Sequence, residues 1–231
     1  MQRQIEFRRR KVRIRYEPFR EPLYYADVYS YGDSADAPCI YYIGGAVTHK
    51  TYMTRAATEP VAIVKELESA IGRFGGPDAL DLIITPCPMP RERKETWLGE
   101  YMDMFQFKLI GMALEHPMGR AVFMGNSMGA YYATHMALNI ESARGLISIA
   151  GVGMGEAAER DRQRLPGLKI KCYSNFGDSH ASNTESFASL MDKHEVPHEL
   201  ARGIGGHEFE DYAANGFVAD AFRFALQALE L

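Results

Sequence analysis

The 231 residues suffice for one α/β domain with a substantial core but are few for two full domains, so the chain is expected to form a single domain over 1–231. Hydrophobic residues make up 46% and charged residues 24%, ordinary values for a globular protein. The formal net charge of -4 excludes the basic footprint expected of a nucleic-acid or anionic-membrane reader.

Three scattered cysteines (Cys39, Cys87, Cys172) show no C-x-x-C spacing, which argues against a disulfide framework or a zinc site. The N-terminal MQRQIEFRRRKVRIRY lacks the apolar core of a secretory signal, and no uncharged apolar run approaches the ~20 residues of a membrane span. A cytoplasmic location is the expectation.

In chain order, Val12, Ile14 and Tyr16 alternate with Arg13 and Arg15, the period-two pattern of a half-buried strand whose arginines face solvent at a sheet edge. A second strand is expected near Tyr24 to Tyr31, ending in the turn-rich segment from Gly32 to Pro38. CIYYIGG, from Cys39, reads as a buried strand ending in two glycines. VAIVKELESAIGRF follows as an amphipathic helix stopped by Gly75-Gly76-Pro77, and ALDLIITP is the next strand. A helix is expected from about Leu98 to Glu115. Then come the strand AVFMG, the helix AYYATHMALN, the strands GLISIAG and KIKCYSN, and a helix through Phe187 and Leu190. A strand through Leu200 and a helix from about Gly216 to Leu229 complete the series.

Continuous apolar strands alternating with helices predict a mostly parallel central sheet covered on both faces, with antiparallel strands at the N-terminal edge. In such sheets chemistry gathers at the carboxyl ends of the strands. Gly125-Asn126-Ser127-Met128-Gly129 matches G-x-S-x-G there, with an apolar strand before it and a helix after it. That is the strand–turn–helix setting of a nucleophile elbow, which lifts the serine oxygen above the sheet at a helix N-terminus. The bland alternative is that Ser127 only caps the helix.

A serine hydroxyl needs a base to take its proton and a third group to hold that base. Behind a nucleophile elbow the chain order is serine, acid, histidine. Asp178 follows the strand KIKCYSN, and His207 follows the next strand within Gly205-Gly206-His207, so these two occupy the expected slots. His180 is only two residues from the acid, and His198 reads as a sheet residue. His135 and His194 read as helical and His116 as a turn residue. Among rival acids, Asp192 reads as helical, and Asp211 comes after the histidine. The oxyanion of acyl transfer needs backbone donors. The amide of Met128 is one candidate, and Gly45 or Ala46, within Gly44-Gly45-Ala46 after the CIYYI strand, is the other. Gly44, Tyr52, Trp97, Tyr101 and Met102 are candidate pocket residues.

From about Pro38 to the end these features resemble the α/β-hydrolase superfamily. The tail is similar to the esterase-D and feruloyl-esterase-like branch, which often shows Gly-Gly-His with two aromatics beyond it, as Phe209 and Tyr212 stand here. The resemblance implies an α/β-hydrolase fold and hydrolysis of a small-molecule carboxylic ester or thioester through an acyl-enzyme, with no cofactor. The elbow is also similar to that of hydrolases splitting carbon–carbon bonds. Those carry a helical lid, whereas VGMGEAAERDRQRLPGL here has room for one helix at most, predicting minimal or no lid. An acyltransferase or lyase on the same three residues, and an inactive binding module, are the alternatives. No phosphate loop, HExxH or clustered His/Cys set points to a metal or nucleotide. A homodimer is the ordinary prior for such an enzyme.

Overall fold

Strands that are apolar on both sides need cover on both sides, and this requirement organises the sheet. The computed structural model describes residues 6–14, 24–34, 36–47, 59–88, 120–160 and 162–230. The strands are β1 (Arg8–Ile14), β2 (Tyr24–Tyr31), β3 (Cys39–Val47), β4 (Leu80–Pro88), β5 (Ala121–Asn126), β6 (Ala143–Ile149), β7 (Lys169–Asn175) and β8 (His198–Gly203). They form one sheet in the order β1-β2-β4-β3-β5-β6-β7-β8. Strand β2 runs antiparallel to both β1 and β4, and every other pairing is parallel.

The helices are α1 (Glu59–Phe74), α2 (Met128–Asn139), α3 (Met154–Arg160), α4 (Ala181–Lys193), α5 (Phe209–Ala214) and α6 (Phe217–Leu229), with a 3₁₀ turn at Arg162–Gly167. Alternate strand residues serve opposite faces. Tyr41, Ile43 and Phe123 join Tyr132, Ala133 and Met136 of α2 in one core. Ile40, Tyr42, Val122 and Met124 join Ile63 and Leu67 of α1 and Phe222 and Ala225 of α6 in the other. Phe123 is fully buried, so truncating it to alanine would destabilise the protein by about 3–5 kcal/mol. Helix α2 is buried nearly all round, because it sits against the central strands with α3 outside it. That rigid seat matters, since the elbow opens this helix.

The expected parallel sheet with an antiparallel start is present. Strand β1 begins earlier than the alternation of Val12 and Ile14 suggests. Arg8 and Arg9 at its start are exposed and pair with Asp33 and Asp27. Strand β3 also runs past its two glycines to Val47, with a register shift between Ile43 and Ala46. Those glycines form an irregularity within a strand rather than its end. Between β6 and β7 the single helix α3 and the 3₁₀ turn are all that the interval holds, apart from Asp161, outside the described residues. Arg15, Tyr16 and the helix expected from Leu98 to Glu115 lie outside the described residues. Among the described residues no helix is long and apolar enough to cross a membrane.

Candidate active site

The site is built at the carboxyl ends of β5, β7 and β8. Strand β5 ends at Asn126 and α2 starts at Met128, so Ser127 alone makes the turn. Its φ of 53° and ψ of -122° put a non-glycine residue in sparsely populated backbone space, a strain of about 1–3 kcal/mol. The surrounding backbone holds it there. Ser127 N–H donates to Ile149 O at 2.8 Å, and Ser127 O accepts from Ala130 N at 3.0 Å and Val152 N at 3.2 Å. The two flanking glycines are required by close approach. A Cβ on Gly125 would stand 2.3 Å from Gly129 O, and one on Gly129 would stand 2.2 Å from Ile43 O. Ser127 makes no side-chain cap bond to its helix. Its Oγ instead lies 2.8 Å from His207 Nε2.

His207 is carried on a loop that three side chains pin. Asp211 accepts the Gly206 N–H at 2.9 Å, Asn175 donates to Gly206 O at 3.2 Å, and Asn215 donates to Ile204 O at 2.7 Å. Gly205 takes φ +135°, a conformation that side chains disfavour. His207 Nδ1 lies 2.8 Å from Asp178 Oδ1. An ionised carboxylate only accepts, so Nδ1 carries the proton and Nε2 is left to accept from the Ser127 hydroxyl.

The Asp178 side chain is fully buried whereas that of His207 is 28% exposed. Asp178 Oδ1 also accepts the His180 N–H at 2.7 Å, and Oδ2 accepts from Tyr212 Oη at 2.7 Å. Burial alone would raise the Asp178 pKa. The bonds from the His180 backbone, the Tyr212 hydroxyl and His207 outweigh it and hold the carboxyl below its ordinary range. Tyr212 is raised, first by burial and then by this bond, so it stays a donor; its oxygen accepts the Asn175 N–H at 3.1 Å.

The candidate oxyanion donors lie around Ser127. Met128 opens α2, so its N–H has no intrahelical acceptor. Gly45 passes so close that a Cβ there would stand 3.4 Å from Ser127 Cβ. Gly44 lies against Gly129, its carbonyl oxygen 2.5 Å from where a Cβ on Gly129 would stand. Ala46, past the register shift, pairs with Cys87. Tyr52, Trp97, Tyr101 and Met102 lie outside the described residues, as does His116.

The structure brings Ser127, His207 and Asp178 into one hydrogen-bonded chain. The rival histidines are elsewhere in it: His198 opens β8, His135 is buried in α2 and His194 caps the end of α4. His180 is nearer. Its exposed ring meets the His207 ring edge-on at 4.8 Å, but only its backbone touches Asp178. Sequence reasoning missed the bonds by which Tyr212 holds Asp178 and by which Asn175 and Asp211 hold the His207 loop. The two aromatics after Gly-Gly-His were the available signal, yet nothing in a sequence says that one of them reaches back to a carboxylate 34 positions earlier.

No protein-family profile and no curated protein matches the sequence. Solved structures do match. A ferulic acid esterase superposes with a TM-score of 0.65 at 12% identity, over 97% of this chain and 99% of the other. The fold is that of the α/β-hydrolases. The S-formylglutathione hydrolase of Staphylococcus aureus is similar at TM-score 0.62 and 14% identity, over 97% and 98% of the two chains. Fluorophosphonate-binding serine hydrolase F from the same organism gives 0.63 and 12%, over 95% and 98%. Among the described residues no group of three or more His, Cys, Asp or Glu side chains is placed to hold a metal ion.

Proposed function

We propose that this chain is a serine hydrolase that cleaves a small-molecule carboxylic ester or thioester through an acyl-enzyme, acting as one α/β-hydrolase domain. The observation that carries the reading is the hydrogen-bonded chain from Ser127 Oγ through the His207 ring to a buried Asp178, at 2.8 Å for each link. Ser127 attacks the acyl carbon as Nε2 takes its proton. Asp178 holds the ring and stabilises the imidazolium. Met128 N–H and an N–H of Gly45 or Ala46 receive the oxyanion. His207 then protonates the leaving oxygen or sulfur, and water repeats the sequence to release the acid. No cofactor enters this scheme.

Three further observations support it. Ser127 holds a strained backbone without capping its helix, which a merely structural serine has no reason to do. The interval between β6 and β7, with one seven-residue helix, is too short for a helical domain covering the site, which favours an ester over the substrates of lidded carbon–carbon hydrolases. Similar solved structures bear the names of ester-cleaving enzymes, among them a ferulic acid esterase and an S-formylglutathione hydrolase.

The test is hydrolysis of a p-nitrophenyl ester series, from acetate to long acyl chains, by wild type and Ser127→Ala in parallel. Turnover that vanishes with Ser127 is expected, and its chain-length profile sizes the acyl pocket. Equal rates in both proteins would sink the assignment. Added alcohols or amines that divert the acyl group into new esters or amides would convert the reading to an acyltransferase.

A further inference from the structure

We infer that Asn126 supplies a side-chain donor to the oxyanion, beside the backbone amides; the inference rests on the reading of Ser127 as nucleophile. Asn126 is the last residue of β5. Strand alternation puts it on the same face as Val122 and Met124, where every other described β5 side chain is apolar. Only 7% of it is exposed, and its Oδ1 is buried without a hydrogen-bond partner. A buried amide in that condition destabilises the fold, and a leucine of nearly the same size would fill the space without the penalty. Packing therefore gives no reason for an asparagine.

Its placement does. A Cβ built on Gly45 would stand 3.4 Å from Ser127 Cβ and 3.7 Å from Asn126 Nδ2. The proposed nucleophile, the glycine strand that passes over it and the donor end of this amide thus converge on one point. An acyl carbonyl under attack by Ser127 must place its oxygen close to that point, because its carbon has to come within bonding reach of Oγ. A preoriented N–H at that point stabilises the charge that develops on that oxygen more than the neutral carbonyl before it. The buried Oδ1 is then the structural consequence of fixing Nδ2 toward the site.

Two properties should separate in a variant: reactivity and stability. The experiment measures the rate at which a fluorophosphonate labels wild type, Asn126→Leu, Asn126→Asp and Ser127→Ala, together with the Tm of each. The phosphonyl oxygen takes the place of the oxyanion, so the labelling rate reads the pocket without knowledge of the natural ester. Labelling of wild type but not of Ser127→Ala is expected. Asn126→Leu should label roughly 100- to 1,000-fold more slowly while melting about 2–4 °C higher. Asn126→Asp keeps the size and removes the donors; it should label more slowly than wild type and decides the matter where the leucine variant does not fold. Labelling of either variant at the wild-type rate overturns the inference and leaves Ser127 untouched. Slower labelling of Asn126→Leu with a lower Tm also overturns it, since that is the signature of a structural residue. Failure of wild type to label removes the nucleophile reading, and the inference falls with it.

Discussion

Replacing Tyr212 with phenylalanine removes one oxygen from the support of Asp178 and leaves a fully buried ring in place. That oxygen donates to Asp178 Oδ2 at 2.7 Å and accepts the Asn175 N–H at 3.1 Å. A hydrogen bond to a charged group is worth about 1.5–3 kcal/mol, and a buried N–H left without an acceptor costs about 1–3 kcal/mol. Asn175 is fully buried, so bulk water does not repair the loss. Taking the lower part of each range gives a destabilisation of about 3 kcal/mol. At about 2–4 °C per kcal/mol for a chain of this size, Tm falls by about 6–12 °C. Both bonds to Asp178 Oδ1 survive, so turnover at 25 °C should fall no more than about tenfold. The effect also carries a pH signature. Asp178 is held below its ordinary range, so the stability drawn from its network is complete above the unfolded carboxyl value near ~3.9 and is lost as pH falls through the lower folded value. The Tm gap between wild type and Tyr212→Phe should therefore be full at neutral pH and shrink in acid below about pH 4. Thermal unfolding followed by circular dichroism across a pH series measures it. A neutral-pH loss under about 2 °C, or a gap that does not change with pH, would refute the reasoning.

Three other outcomes are expected. Asp178→Asn should fold but lose about 10⁴-fold in kcat, because an amide no longer fixes the His207 tautomer; steady-state kinetics beside a melting curve check both halves. His180→Ala should keep most turnover and His207→Ala almost none, since only the His207 ring bonds Ser127 Oγ; the reverse pattern would exchange the base. Lys171→Met breaks a charge cluster away from the site, in which the buried Lys171 Nζ meets the exposed Glu199 at 2.6 Å and the half-buried Asp220 at 2.9 Å. Glu199 is solvated, and Arg223 and Tyr173 still hold Asp220, so the loss of stability should be about 1–2 kcal/mol by denaturant unfolding, with kcat unchanged.

What the sequence disclosed follows from where its signals are local. Strand runs such as CIYYI and AVFMG are apolar throughout because both faces are buried, and G-x-S-x-G is a compact pattern in which Gly125 is required by backbone of its own turn and Gly129 by Ile43 O of β3. Asp178 and His207 were singled out as the candidate acid and base from chain order behind a nucleophile elbow, and the structure places both within hydrogen-bond reach of one another and His207 within reach of Ser127. Helix α5 went unread because six residues give too little periodicity. The continuation of β3 past Gly44 and Gly45 was hidden, since glycines after an apolar run read as a strand end although here they form a register shift. The Tyr212–Asp178 bond and the isolation of Asn126 Oδ1 are properties of tertiary packing, and no local pattern announces them.

Everything proposed for this chain depends on Ser127 being the nucleophile activated by His207. Peptide mapping by mass spectrometry after fluorophosphonate treatment tests it most directly. A single adduct on Ser127 is expected in wild type, none in Ser127→Ala, and strongly slowed formation in His207→Ala. An adduct on another residue, or equal labelling of the His207→Ala protein, would contradict it.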